Sequence, residues 1–169
     1  GSDMDEKLEG AVGDDVLSGG EGSDFMLGGV GSDTLIGGSG RGSDTASFEG
    51  SMANYTIATA SKYIGVKADG TYDLDTNGAI KIYNDNSVAS GSTAVQGLSV
   101  TTKDADADGV ISSSEASGAS VTDLVFEVES LEFSDGVGRS NAEIYVDDYD
   151  YDFVIDFSEI IGSLGNDTI

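Results

Sequence analysis

The sequence predicts an all-β chain in two parts: a short coil of parallel strands, then a sandwich-like, antiparallel β-rich unit. Three observations carry this. A nine-residue period runs through Gly10–Ala46. Short alternating runs follow, separated by Asp69-Gly70 and Asn77-Gly78, which are strong hairpin signals. An acidic loop at Asp104–Glu115 then lies between two further extended runs.

The period is the sharpest of these. Three blocks read GAVGDDVLS (Gly10–Ser18), GGEGSDFML (Gly19–Leu27) and GGVGSDTLI (Gly28–Ile36), and a longer fourth begins GGSGRGSDTA at Gly37. Glycine takes the first, second and fourth positions apart from Ala11, aspartate the sixth and an apolar residue the eighth. Glycines allow positive φ and let carbonyls turn inward. The aspartate adds a hard anionic oxygen, and carbonyl plus carboxylate oxygens are what Ca²⁺ prefers. The candidate ligands are therefore Gly10, Val12 and Asp15; Gly19, Glu21 and Asp24; Gly28, Val30 and Asp33; and Gly37 and Asp44. Leu17, Met26 and Leu35 form a stripe that stacked turns can bury. A flexible Gly/Ser linker has no reason to space Asp and Leu in this way. The pattern is the nonapeptide signature of a calcium-filled parallel β-helix or β-roll.

These blocks resemble the RTX family of secreted, haemolysin-type repeat proteins. In that family two blocks make one coil and ions sit in the turns between coils. The resemblance implies several Ca²⁺ ions, type I secretion and a place outside the cell or on its surface.

Bulk composition agrees with metal-dependent folding. The chain has 169 residues with 38% hydrophobic content, enough to fold if its charge is managed, yet 32 acidic against 7 basic residues leave −25. Such self-repulsion disfavours a compact metal-free state, and bound divalent cations offset it. The same charge makes nucleic acid and anionic membranes poor partners, and no apolar run is long enough to span a bilayer. Cys, His, Pro and Trp are absent. Zinc, copper and Fe–S sites thereby lose their usual ligands, nucleophile triads built on His cannot form, and metal ions must do the stapling that disulfides do elsewhere.

In chain order, residues 1–9 are acidic and lead into the first coil. Gly1-Ser2 reads as a cloning remnant, and the chain stops within a repeat at Ile169, as an excised piece of a longer protein would. DTASFEGSMANYTI (Asp44–Ile57) alternates like a strand leaving the coil and resembles the segment that ends RTX repeat blocks. Strands are expected at Asn54–Ala60, Lys62–Lys67, Thr71–Asp75 and Ala79–Tyr83, a loop at Ser87–Gly97, and strand again at Leu98–Thr101.

DADADGVISSSE (Asp104–Glu115) fits D-x-[DN]-x-[DN]-G-x₅-E without mismatch. Asp104, Asp106 and Asp108 fall at positions 1, 3 and 5, the Val110 carbonyl at 7, Ser112 at 9 and Glu115 at 12. The flanks are not those of a helix pair, so the loop resembles an EF-hand while its context does not. It is either a Ca²⁺ site or an acidic turn that holds no ion. Val121–Phe133 is strand-like throughout, and VESLEFSDG resembles the segment that closes RTX blocks. In IYVDDYDYDFVIDF, alternation puts Tyr149, Tyr151 and Phe153 on one face and Asp148, Asp150 and Asp152 on the other. That acidic face is a solvated edge, a further Ca²⁺ site through Asp148 and Asp150, or a ligand-facing surface. GSLGNDTI returns to the nonapeptide pattern, with Asp167 at the sixth position.

The expected organisation is a calcium roll at residues 1–47, an inserted β-rich module at 48–160 carrying the 104–115 loop, and the start of a second repeat at 161–169. Two functions follow. A non-repetitive unit between repeat arrays points to a monomeric, calcium-dependent adhesin module that binds an extracellular peptide or glycan. The alternative is a purely structural, calcium-triggered folding or spacer element. An enzyme is not expected: H-E-x-x-H is impossible without His, G-x-S-x-G does not occur, and Asp-Pro self-processing is impossible without Pro.

Overall fold

The computed structural model describes residues 3–38, 40–134 and 140–145. Strands β1 (Lys7–Val12), β2 (Val16–Ser18), β3 (Phe25–Val30), β4 (Thr34–Ile36) and β5 (Thr45–Glu49) alternate between two sheets. β1, β3 and β5 pair in parallel in one sheet, and β2 and β4 in the other, so the chain coils. The nine-residue period produces this because one block is one strand plus one glycine turn, and two blocks return the chain to the same sheet. The eighth-position side chains point into the coil, where Met26, Leu35 and Ala46 are fully buried and Leu8 and Leu17 half-buried against them.

The coil does not end at β5. Beyond a 3-10 turn at Met52–Asn54 come β6 (Tyr55–Lys67), β7 (Ile82–Tyr83) and β8 (Ser92–Thr102), a helical turn α1 (Ser113–Ala116), β9 (Val121–Phe126), β10 (Ser130–Ser134) and β11 (Ser140–Tyr145). β9 pairs in parallel with β4, and β10 in parallel with β5, placing Val125 on Leu35 and Leu131 on Ala46. These strands lay down another coil on the first ones. The connection from β5 to β9, where the period calls for a short turn, is residues 50–120. The insertion therefore replaces one turn of the roll.

The inserted strands are antiparallel, and one sheet runs through both parts in the order β2-β4-β9-β8-β6-β7. Leu98 and Val100 of β8 share a core with Met26, Leu35 and Phe133, and a smaller cluster of Ile36, Ile64 and Phe126 fills the opposite face. Phe48, Phe133 and Tyr55 close the end of the roll, with ring centroids 5.1–5.6 Å apart.

Some strand expectations need correction. Asn54–Ala60 and Lys62–Lys67 are one strand, β6, with an irregularity between Thr59 and Tyr63. Thr71–Asp75 and Ala79–Tyr83 give only isolated bridges and the short β7, because Asp75 takes the Asn77 and Ala79 amides into a tight turn. The loop expected to Gly97 ends at Gly91, since β8 begins at Ser92. Val121–Phe133 is two strands: Glu127, at φ 49°, turns the chain from one sheet to the other.

Candidate metal centres

Stacking brings the sixth-position residues into two ladders. On one side of the roll Asp24 accepts the Glu6 amide, Asp44 the Asp24 amide (both 2.8 Å) and Glu129 the Asp44 amide (2.6 Å). On the other, Asp33 accepts the Asp15 amide at 2.9 Å and Asp123 the Asp33 amide at 2.8 Å. Each carboxylate thus has one oxygen committed to the backbone of the preceding coil. Oδ2 of Asp15, of Asp24 and of Asp33 is buried without a hydrogen-bond partner.

An unpaired buried carboxylate oxygen is costly and calls for a cation. The first-position glycines make room for one. A Cβ on Gly28 would lie 2.2 Å from Asp33 Oδ2, and one on Gly10 would meet both Asp15 Oδ2 at 2.8 Å and the Gly28 carbonyl oxygen at 2.6 Å. Carboxylate and carbonyl oxygens therefore converge over a bare Cα, a donor set that fits a hard divalent ion. The carbonyls of Val30 and Gly37 also accept the Gly13 and Gly20 amides, leaving each a second lone pair. Glu21 and Val12 are exposed.

Burial raises the carboxyl pKa of Asp33 above the ordinary range, against the lowering effect of the Asp15 amide. Burial likewise pushes Asp44 up to about 6, opposed by the Asp24 amide and reinforced by the charges of Glu129, Asp24 and Glu127. Asp73 shows the contrasting case. It is only 4% exposed, but Ser92, Tyr83 and the Ala89 amide all donate to it, and these bonds, Ser92 first, hold its carboxyl low. Asp73 is a structural lock; the roll aspartates are not satisfied by protein alone.

The Asp104–Glu115 loop lies between β8 and β9. One oxygen from each of Asp104, Asp106 and Asp108 comes within 4.8 Å of the others. Asp104 is 3% exposed; its Oδ2 accepts the Gly109 amide at 2.8 Å, while Oδ1 is buried and unpartnered. Glu115 folds back onto the loop, accepting the Ala105, Asp106 and Ser112 amides, and these bonds with Ser112 hold its carboxyl down near 2. Ser112 completes a capping box with Glu115 on α1. Val110 is exposed and its amide is held by Asp108. Strand β8 enters the loop and only one helical turn leaves it, so this is the loop of an EF-hand without its helices.

Three ladder members escaped the sequence reading: Glu6, Asp123 and Glu129. Each stands two residues before an inward apolar residue (Leu8, Val125 and Leu131), the spacing of Asp33 and Leu35, but lacks the glycines before it. Asp148, Asp150 and Asp167 lie outside the described residues.

Residues 1–35, and in a second alignment 9–45, match the family model of the RTX calcium-binding nonapeptide repeat (4 copies). Comparison with curated proteins and with solved structures gives no match. The family match thus covers the first coils and stops before the insertion. With the period, the stacked turns and the unsatisfied carboxylates, it identifies residues 1–45 as an array of RTX calcium-binding nonapeptide repeats, whose turns bind Ca²⁺.

Proposed function

We propose that the chain is a calcium-dependent ligand-binding module of a large, secreted RTX adhesin, folding outside the cell and presenting a peptide- or glycan-binding surface as a monomer. The observation that carries this is the splice. One turn of a repeating coil has been exchanged for 50–120, a unit that does not repeat and that displays an acidic loop with exposed Asp106 and Asp108. A spacer needs only more repeats.

In this reading the first- and third-position carbonyls and the sixth-position carboxylates hold the roll ions. Asp104, Asp106, Asp108, Glu115 and the Val110 carbonyl hold the loop ion, with Ser112 directly or through water. Extracellular Ca²⁺ modules bind at about 10⁻⁴–10⁻³ M. The chain therefore stays loose in the cytosol, passes type I export unfolded, and folds outside as ions bind the folded state. No residue is assigned a catalytic role.

Peptide and glycan arrays probed with the chain in millimolar Ca²⁺ and again in EDTA test the reading. A hit lost in EDTA is expected, and a blank Ca²⁺ arm counts against it. One observation favours the structural alternative: β9 and β10 resume the coil and share its core, so the insertion is stitched into the roll. A module that folds cooperatively on Ca²⁺ but gives blank arrays has that role.

A further inference from the structure

The insertion leaves one strand edge open. β6 is 13 residues long and pairs with β8 from Tyr55 to Lys67, with one irregularity. On its other side β7 meets only Tyr63 and Ile64, and a single bridge joins Val66 to Tyr72. The Lys62 ammonium donates to Asn84 where that cover ends. Among the described residues no strand pairs with the outer edge of Tyr55–Thr59.

The register shows which backbone groups stand on that edge. Leu124 of β9 donates its amide to the Asp33 carbonyl at 2.8 Å, so its backbone groups face β4. Successive residues of a strand face opposite sides, so Asp123 and Val125 face β8. Val100 and Leu98, their partners, then face β9, which turns Ser99 and Thr101 toward Ala58 and Thr56. The Ser99 hydroxyl also reaches the Ala58 carbonyl, at 3.2 Å. The N–H and C=O groups of Ile57 and Thr59 are left pointing outward. Tyr55 confirms the phase, because its outward amide donates to the Met52 carbonyl.

Native sheets protect such edges with charge, proline or a covering segment. Tyr55–Ser61 reads YTIATAS, with neither charge nor proline, in a chain that carries 32 acidic residues. We propose that this edge takes up an extended, lysine- or arginine-bearing segment of another protein as an added β-strand. Backbone bonds to Ile57 and Thr59 give affinity. Alternate side chains of the added strand lie beside half-buried Tyr55 and Ile57 on one face and exposed Thr56 and Ala58 on the other. A net charge of −25 repels a second copy of the chain and attracts a basic segment. The proposal deepens the ligand-binding reading and rests on it for there being a ligand; it chooses peptide over glycan.

The test probes an array of random short peptides and a glycan array with the 169-residue chain in millimolar Ca²⁺. Peptide hits rich in Lys or Arg are expected. Thr59→Pro removes one outward N–H at an exposed edge position where proline is tolerated. It should keep the wild-type circular dichroism and Ca²⁺ midpoint, yet bind these peptides about tenfold more weakly. A second measurement uses the wild-type chain and a hit peptide N-methylated at every other residue. Methylation in one phase should abolish binding, and in the other leave it intact. Tolerance of both phases, hits unchanged in Thr59→Pro, or hits on glycans alone overturn the edge site and leave the ligand-binding reading standing. A dimer in sedimentation that Thr59→Pro dissociates makes the occupant a second copy and also overturns it. Blank peptide and glycan arrays remove both readings.

Discussion

Asp123 accepts the amide of Asp33 at 2.8 Å across ninety residues of chain, as Asp33 itself accepts that of Asp15 from the next coil. This bond fastens the far end of the insertion to the roll. Truncating Asp123 leaves a backbone N–H in the ladder without its acceptor, a loss of about 1–3 kcal/mol. Asp123→Ala should lower urea stability in saturating Ca²⁺ by that amount. Asp85→Ala, which removes only an exposed local bond to Ser87, should change it by less than about 0.5 kcal/mol. Equal effects would mean the ladder does not hold the coils together.

Asp33 separates hydrogen bonding from ion binding. Asparagine at this position still accepts the Asp15 amide through Oδ1, but presents an N–H₂ where the unpartnered oxygen stood. Asp33→Asn should raise the Ca²⁺ midpoint for folding about tenfold, equivalent to about 1.4 kcal/mol. In chelator it should be neutral or stabilising, because it removes a buried charge. Asp73→Asn, which disturbs a fully bonded carboxylate, should destabilise in both conditions. Circular dichroism titrations of the two variants make the comparison.

How much was legible follows the period. Wherever glycines, aspartate and an apolar residue stood in register, as at Asp15, Asp24 and Asp33, coil and candidate site could be read. The complete twelve-residue pattern at Asp104–Glu115 was legible for the same reason. Asp123 and Glu129 were not, because parallel pairing with Asp33 and Asp44 does the positioning that glycine turns do in the repeats. Val121–Phe133 looked like one strand because both halves are apolar, and nothing local marks Glu127 as the turn.

Acid should partly replace calcium. Burial pushes Asp44 up to about 6 and Asp123 up to about 7 in the folded chain, against about 3.9 when unfolded. Raised folded values mean that the native state binds these protons more tightly. Metal-free stability is therefore highest below the unfolded value and falls as pH rises through about 6 to 7. In chelator, β-sheet signal should grow as pH is lowered from 8 to 5. In Ca²⁺ the same protons compete with the ion, so the midpoint should rise over that range. Loss of β-structure on acidification in chelator would show that these carboxylates do not govern folding.

Gly50 and Gly91 both adopt left-handed backbone, at φ 88° and 90°, but only one is crowded. Nothing lies within 4 Å of a Cβ built on Gly91, whereas one on Gly50 would sit 2.5 Å from the Gly109 carbonyl oxygen and 2.7 Å from its Cα. Gly109 is the sharp turn of the central loop, and Asn54 also donates to its carbonyl at 3.3 Å. The β5 exit and the calcium loop thus meet backbone to backbone. Gly91→Ala should lose only the conformational term, about 1–2 kcal/mol. Gly50→Ala should lose that and force the loop off the roll, for about 3 kcal/mol or more in total, since steric overlap cannot relax into a side chain. It should also weaken Ca²⁺ binding at the loop without touching a ligand, which a Tb³⁺ luminescence titration sensitised by tyrosine can follow. Equal stability losses in the two variants, with loop affinity unchanged in both, would show that the loop and the roll are not packed as one body.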